Sequence, residues 1–336
     1  MKHLLGKTAL CTLALSFATE AAAVEWNVSV WGSRRAFTEH VEKLAELVAE
    51  KSGGDFTMNV SYGGLSKNTE NLDGISIGAF EMAQFCAGYH ADKNPTITVL
   101  ELPFLGVANL REEVAVSHAV YAHPATAADL GRWNAKLLMT SPMPQYNLVG
   151  TGNPRNSLAD FSGMRVRATG GLGKAFEAVG GVPTSVTSSE AYNAMESGVV
   201  DTVAFAQHAH LSFRTIDIAT WWTENLNPGT VNCPVVVNSD AYNDLSDEHR
   251  AILDESVPEA IEFYIENYGE LLKKWDAILA EKNVQRVMID DAVIAEFRAT
   301  AADPIRDQWI ADMEAQGIPG QELYDLVVET LAKERM

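Results

Sequence analysis

Two stretches decide how this chain folds: Leu158-Ala159-Asp160-Phe161-Ser162-Gly163-Met164-Arg165-Val166-Arg167, and, a helix and a strand further on, Ser189-Glu190-Ala191-Tyr192-Asn193-Ala194-Met195-Glu196-Ser197-Gly198-Val199-Val200-Asp201. In the first, Asp160 to Gly163 reads as a turn and Met164 to Ala168 as a strand. Alternate residues of a strand share a face, so Arg165 and Arg167 project together and Met164 and Val166 oppose them. A glycine-rich turn leads into a helix over Gly173 to Val179, then a strand over Val182 to Val186. The second stretch predicts a helix over Ser189 to Ser197, with Glu190 in the first turn to suit the dipole, and a strand over Val199 to Phe205. The result is a β-α-β-α-β unit, whose strands must run parallel through right-handed crossovers.

The N-terminal part repeats this logic. Trp26, Val28 and Val30 alternate along a strand, and Val41, Leu44, Leu47 and Val48 form the apolar stripe of a helix that Gly53-Gly54 ends. Phe56 to Tyr62 alternates again before Gly63-Gly64. Further elements are predicted as a helix over Asn68–Ile77, a strand over Phe80–Phe85, one helix from Leu110 to about Trp133, and a strand over Lys136–Thr140. Helical recurrence runs from Ser246 to about Asn283 with Pro258 inside it, and an unbroken helix there would be roughly 55 Å long. That is long enough to brace two lobes. Helices over Asp291–Ala301, Pro304–Gln316 and Leu323–Lys333 complete the chain. The expected organisation is therefore α/β: a first lobe over 24–146, a second over 147–245, and the bracing helix with the C-terminal helices over 246–336.

The chain has 336 residues, 47% of them apolar, which supports a packed core. Its formal net charge of −20 repels phosphate backbones, so no nucleic-acid partner is expected. An anionic small molecule answers to the local field of its pocket instead. Lys2 and Lys7, the apolar run Leu10 to Phe17, and Ala21-Ala22-Ala23 form a secretory signal peptide over 1–23, with cleavage after Ala23. The mature chain is thus exported and, in a bacterium, periplasmic. Cys86 and Cys233 remain; their spacing says nothing of proximity, and the expectation is two separate buried thiols.

Few residues look chemically active. Arg165 and Arg167 fit a carboxylate clamp, but fit a solvated strand edge at least as well. Gly170-Gly171-Leu172-Gly173-Lys174 lacks the first glycine of a phosphate loop and has Ala175 where a magnesium-binding hydroxyl belongs. His208 and His210 have no further zinc ligand at convincing spacing and read as structural or solvent-facing. No nucleophile motif, metal cluster or cofactor motif is present, so neither enzyme activity nor a cofactor is expected. Aromatic residues recur at strand ends or just beyond them: Trp31, Tyr62, Phe85, Tyr89, Tyr146, Phe205, Trp221 and Trp222. In α/β sheets that is where ligands bind.

The two opening stretches, together with Leu47-Val48-Ala49-Glu50-Lys51-Ser52-Gly53-Gly54 and Glu101-Leu102-Pro103-Phe104-Leu105, resemble the DctP-type substrate-binding proteins of tripartite ATP-independent periplasmic (TRAP) transporters, over roughly residues 25–300. The resemblance implies a two-lobed, type II-like periplasmic binding fold braced by a long helix. It implies an organic-acid ligand enclosed between the lobes, and integral-membrane permease subunits as partners. The family's binding arginine corresponds here to Arg167, with Arg165 supporting or facing solvent. Asn147 stands where relatives that bind sialic acid carry a second arginine, and Phe205 replaces a polar contact. With Trp31 and Phe85, this predicts an apolar pocket for a monocarboxylate with an aromatic body. Trp222 is a further candidate wall. A uronate, an aldonate or a C4-dicarboxylate is the alternative, since Asn147, Gln145 and Asn227 offer partners to hydroxyls. A sensor role in place of transport, and an exported enzyme, are more distant readings.

Overall fold

A computed structural model describes residues 23–336; the expected signal peptide lies outside them except for Ala23. The strands in chain order are β1 (Val24–Val30), β2 (Phe56–Tyr62), β3 (Met82–Gln84), β4 (Ala135–Met139), β5 (Asn147–Gly150), β6 (Arg165–Arg167), β7 (Val182–Thr184), β8 (Thr202–Phe205), β9 (Trp221–Thr223), β10 (Val235–Asn238) and β11 (Gln285–Val287). They form two sheets, β2-β1-β3-β10-β4 and β11-β9-β5-β8-β6-β7. In the first, β1 pairs in parallel with β2 from Val24↔Phe56 to Val30↔Tyr62. In the second, β6 pairs in parallel with β7 and β8, as the β-α-β-α-β pattern requires. The mixed α/β fold with two sheets is that of a two-lobed periplasmic binding protein.

Residues 147–245 do not stay in one lobe. β10 returns to the first sheet, antiparallel between β3 and β4, and β11 joins the second sheet after the long helix. An uncharged Val235-Val236-Val237 run suits any fully buried strand, so its sheet could not be read from composition. This return places Cys233 beside Cys86, which form a disulfide across 147 residues of sequence. The expectation of separate thiols is corrected: Phe85 and Ala87 donate backbone hydrogen bonds to Pro234 and Asn232, and that ladder brings the two cysteines face to face.

The long helix runs unbroken from Asp247 to Glu281, with the Ser246 hydroxyl capping His249 N–H at 3.1 Å. Pro258 removes one intrahelical bond, but Leu253, Val257, Ala260 and Ile261 bury around it against Val41, Leu44 and Val48 of the helix Glu39–Lys51. Further along, Trp275 and Leu279 enter the core of the second sheet. One rod therefore packs on both lobes. The helix Asp291–Glu314 behaves alike: Pro304 does not split it, as Phe297 packs on Phe161 and Phe176 while Trp309 Nε1 donates to Thr98. By contrast, the predicted helix 110–133 is two, Leu110–Tyr121 and Pro124–Gly131. Here proline sits at a first turn, capped by His123 Nδ1 accepting from Ala125 N–H.

At the chain crossing beside the disulfide lies a buried polar knot. Asn232 donates to Glu113 and Ser117 at 3.3 and 3.0 Å and accepts from the Tyr121 hydroxyl at 2.5 Å. Burial raises the Glu113 carboxyl to about 8 from 4.5. A carboxyl raised in this way stabilises fully below its unfolded value and loses that contribution as pH climbs through the folded one. Melting of Glu113→Gln should therefore match the wild type near pH 5 and exceed it near pH 9; a constant offset at both would count against a neutral Glu113. For the disulfide, closing so long a loop predicts a loss of about 5 kcal/mol on removal. A Cys86→Ser/Cys233→Ser protein that melts with the oxidised wild type would contradict it.

Candidate functional site

The carboxyl ends of β1 and β6 point into a narrow cavity between the lobes. From the first lobe come Trp31, Phe37, Tyr89 and Glu101; from the second, Arg167, Ser188, Phe205, His208 and Phe213; from the crossings, Met143, Tyr146 and the disulfide. The lobes touch directly around it. Trp31 stacks on Phe213 with centroids 6.1 Å apart, Phe37 stacks on His208 at 5.0 Å, and the Tyr89 hydroxyl lies 2.9 Å from Ser188 Oγ.

Arg167 ends β6 and is 2% exposed. Its Nε donates to Val186 O at 3.1 Å, and Nη2 donates to the Tyr89 hydroxyl at 2.8 Å and Ser188 Oγ at 3.3 Å. Its guanidinium carbon sits 4.5 Å from the Phe205 ring centroid. All these partners are neutral, and no carboxylate among the described residues pairs with it. Arg165 differs although it shares the strand face. Its guanidinium is half exposed and bonded to Asp201, whose carboxyl that contact holds below the usual range. The motif that ends in Asp201 thus neutralises one arginine and leaves the other free of a counter-charge.

A second buried guanidinium lies behind the cavity wall. Arg35 stands 4.4, 5.1 and 5.5 Å from the ring centroids of Trp31, Phe37 and Phe213, and its Nε and Nη2 have no partner. Burial pulls it down to about 10, so it stays cationic at neutral pH. The one carboxyl on the cavity among the described residues, Glu101, accepts from Gly88 and Asn232 N–H at 3.1 Å, and burial pushes it up to about 7. The local field is therefore positive inside a strongly acidic protein. Glu101 also explains Gly170-Gly171: a Cβ on either would collide with it, so these glycines admit the approach of the two lobes.

Of the residues predicted for the site, Trp31, Arg167 and Phe205 come together on the cavity. The others lie elsewhere. Phe85 is fully buried against His90 in the first lobe, because a strand sends residues 85 and 86 to opposite faces and Cys86 takes the cavity side. Asn147 is structural: Oδ1 accepts from Leu226 N–H at 3.0 Å and Thr223 at 3.2 Å, and Nδ2 donates to Asn227 at 2.8 Å. Gln145 and Asn227 line a separate surface groove with Phe104 and Arg298. Trp222 packs edge-on against Trp275 of the long helix. Hence none of the three amides expected to bond hydroxyls reaches the cavity.

Sequence reasoning missed Phe37, Glu101, Ser188, His208 and Phe213 as cavity residues. Tyr89 and Tyr146 carried the strand-end signal. Phe37 and Phe213 did not, because helical and loop aromatics look like core. His210 is structural as expected, with Nδ1 against Thr215 and Nε2 against the Asn147 carbonyl. No helix of the described residues is long and apolar enough to cross a membrane.

Among known proteins, a family model for bacterial extracellular solute-binding proteins, family 7, matches residues 28–312. The outer membrane transporter protein TsaT of Comamonas testosteroni is 25% identical over 94% of this chain and 95% of its own. In fold, the chain is similar to a TRAP solute-binding protein from a marine metagenome, specific for aromatic acids and crystallised with 3-hydroxybenzoate. There the TM-score is 0.84 at 20% identity, over 93% of this chain and 99% of that one. It is similar also to a Roseobacter denitrificans TRAP protein with bound β-D-glucuronate, with a TM-score of 0.79 at 21% identity, over 90% and 99%. The match along most of its length, on the two-lobed frame and around an interlobe cavity, shows that the chain belongs to the DctP family, family 7 of the bacterial extracellular solute-binding proteins.

Proposed function

We propose that this receptor captures an aromatic or otherwise apolar monocarboxylate in the periplasm, after cleavage following Ala23, and delivers it to the permease subunits of a TRAP transporter without chemical change. The observation that carries the reading is Arg167, a buried guanidinium with neutral partners only, facing a cavity walled by rings. A buried cation is expensive unless an anion compensates it. A carboxylate entering the open cleft would meet Arg167 on the second lobe and take its fork in charge-assisted hydrogen bonds. Trp31, Phe37 and Tyr89 of the first lobe then cover the body of the solute. Because such a solute touches both lobes, it favours the closed arrangement over the open one, and closure is the state a permease can recognise.

The aromatic preference rests on the walls. Trp31, Phe37, Phe205 and Phe213 supply apolar area, while Gln145, Asn147 and Asn227, the expected partners of sugar hydroxyls, are turned elsewhere. The positive interior holds Arg35 in reserve behind the rings, adding to the field without a contact of its own.

Leaving one member of a buried ion pair unmatched costs about 3–5 kcal/mol. Calorimetry on Arg167→Ala should then show affinity for the cognate acid reduced by more than about a hundredfold. Arg167→Lys should bind poorly too, since the planar fork is lost; retention of wild-type affinity in the alanine variant would remove this assignment. In a thermal-shift panel, aromatic acids should raise the melting temperature more than uronates of similar size. A response confined to sugar acids would overturn the aromatic preference and leave the role of Arg167 standing.

A further inference from the structure

His208 reads from sequence as a structural or solvent-facing histidine, yet it lines the cavity opposite the first lobe. Its ring is fixed on two sides. Phe37 stacks on it with planes 7° apart, and Tyr268 of the long helix meets it edge-on at 5.5 Å. The Tyr268 hydroxyl lies 2.7 Å from Nδ1 and 3.5 Å from the backbone N–H of the same histidine.

Those two contacts decide where the ring proton resides. The backbone N–H donates to the Tyr268 oxygen, and the hydroxyl has one proton of its own to place. Tyr268 is fully buried, and the one acceptor it reaches among the described residues is His208 Nδ1. Putting the ring proton on Nδ1 would leave the hydroxyl proton stranded in a dry interior, which buried donors avoid. Nδ1 is therefore an acceptor and Nε2 carries the hydrogen. Nε2 has no protein partner among the described residues and is not completely enclosed by protein. The contrast with His210 is direct, since both nitrogens of that ring find protein partners.

We propose that His208 reads the body of the solute through Nε2–H, so that the cognate acid carries a neutral hydrogen-bond acceptor, a hydroxyl or carbonyl oxygen, besides the carboxylate held by Arg167. The inference rests on the Arg167 reading above and deepens it. Burial, helped by Arg35 and His210, holds the ring well below its ordinary 6.5, so His208 offers a neutral donor rather than a second cation. A site built to bond a substrate oxygen rejects the analogue that lacks it, because its own donor is then left bare. Arg167 and His208 thus divide the work: one fixes the anionic head, the other selects among bodies of equal size.

The test compares the three monohydroxybenzoates with their methyl isosteres by calorimetry, on wild type, Arg167→Ala and His208→Phe. The wild type should hold at least one hydroxy acid about tenfold or more tighter than its methyl partner, and His208→Phe should erase that ratio while keeping affinity for the methyl acid. As a check independent of any variant, ring-nitrogen NMR of the wild type should show Nε2 protonated and Nδ1 accepting. Its Nε2 proton should shift with the preferred hydroxy acid and not with the methyl one. A ratio that survives in His208→Phe, an equal loss for both acids, or an Nδ1–H ring would each overturn the proposal. If no benzoate binds the wild type, both this proposal and the aromatic reading fall. If Arg167→Ala loses affinity while the ratio survives in His208→Phe, this proposal alone falls.

Discussion

A guanidinium withdrawn from water needs a counter-charge, and in this protein Arg167 has none of its own. The strand that carries it offers two arginines to one face, and Asp201 neutralises only the first. The second is left with a carbonyl and two hydroxyls, one of them from the opposite lobe. Much of the remaining architecture serves to hold that uncompensated charge in a dry, closed place: the rings around it, the bracing helix behind them, and the lobes meeting at Tyr89 and Ser188.

Closure in such a molecule is a balance between lobe contacts and solute contacts. The stacks of Trp31 on Phe213 and Phe37 on His208 are modest in themselves. They bridge the lobes around the cavity. The glycines at 170 and 171 remove the side chains that would prevent the approach to Glu101. The disulfide and the Asn232 knot sit where the chain crosses between lobes. They stiffen the first-lobe end of that crossing.

Electrostatics here is local. A formal charge of −20 describes solubility and the exclusion of polyanions. It does not describe a cavity with two buried guanidinium groups near it and one carboxyl driven toward neutrality. Desolvation accounts for both shifts, and both leave the interior receptive to an anion.

Sequence alone determined the α/β class, the parallel core of each lobe and the long helix. Each of these is written in short-range periodicity or in a motif, and such patterns survive without knowledge of neighbours. Even there, Pro304 read as a break because the packing that offsets a missing hydrogen bond comes from other parts of the chain. Tertiary structure decided the rest. Val235–Asn238 goes home to the first sheet, Cys86 finds Cys233, and Phe85, Asn147 and Trp222 turn into the core. His208 faces the cavity while His210, on the same helix, does not. Which side of a buried element meets a ligand and which meets another layer depends on what is folded against it, and no spacing along one chain segment records that.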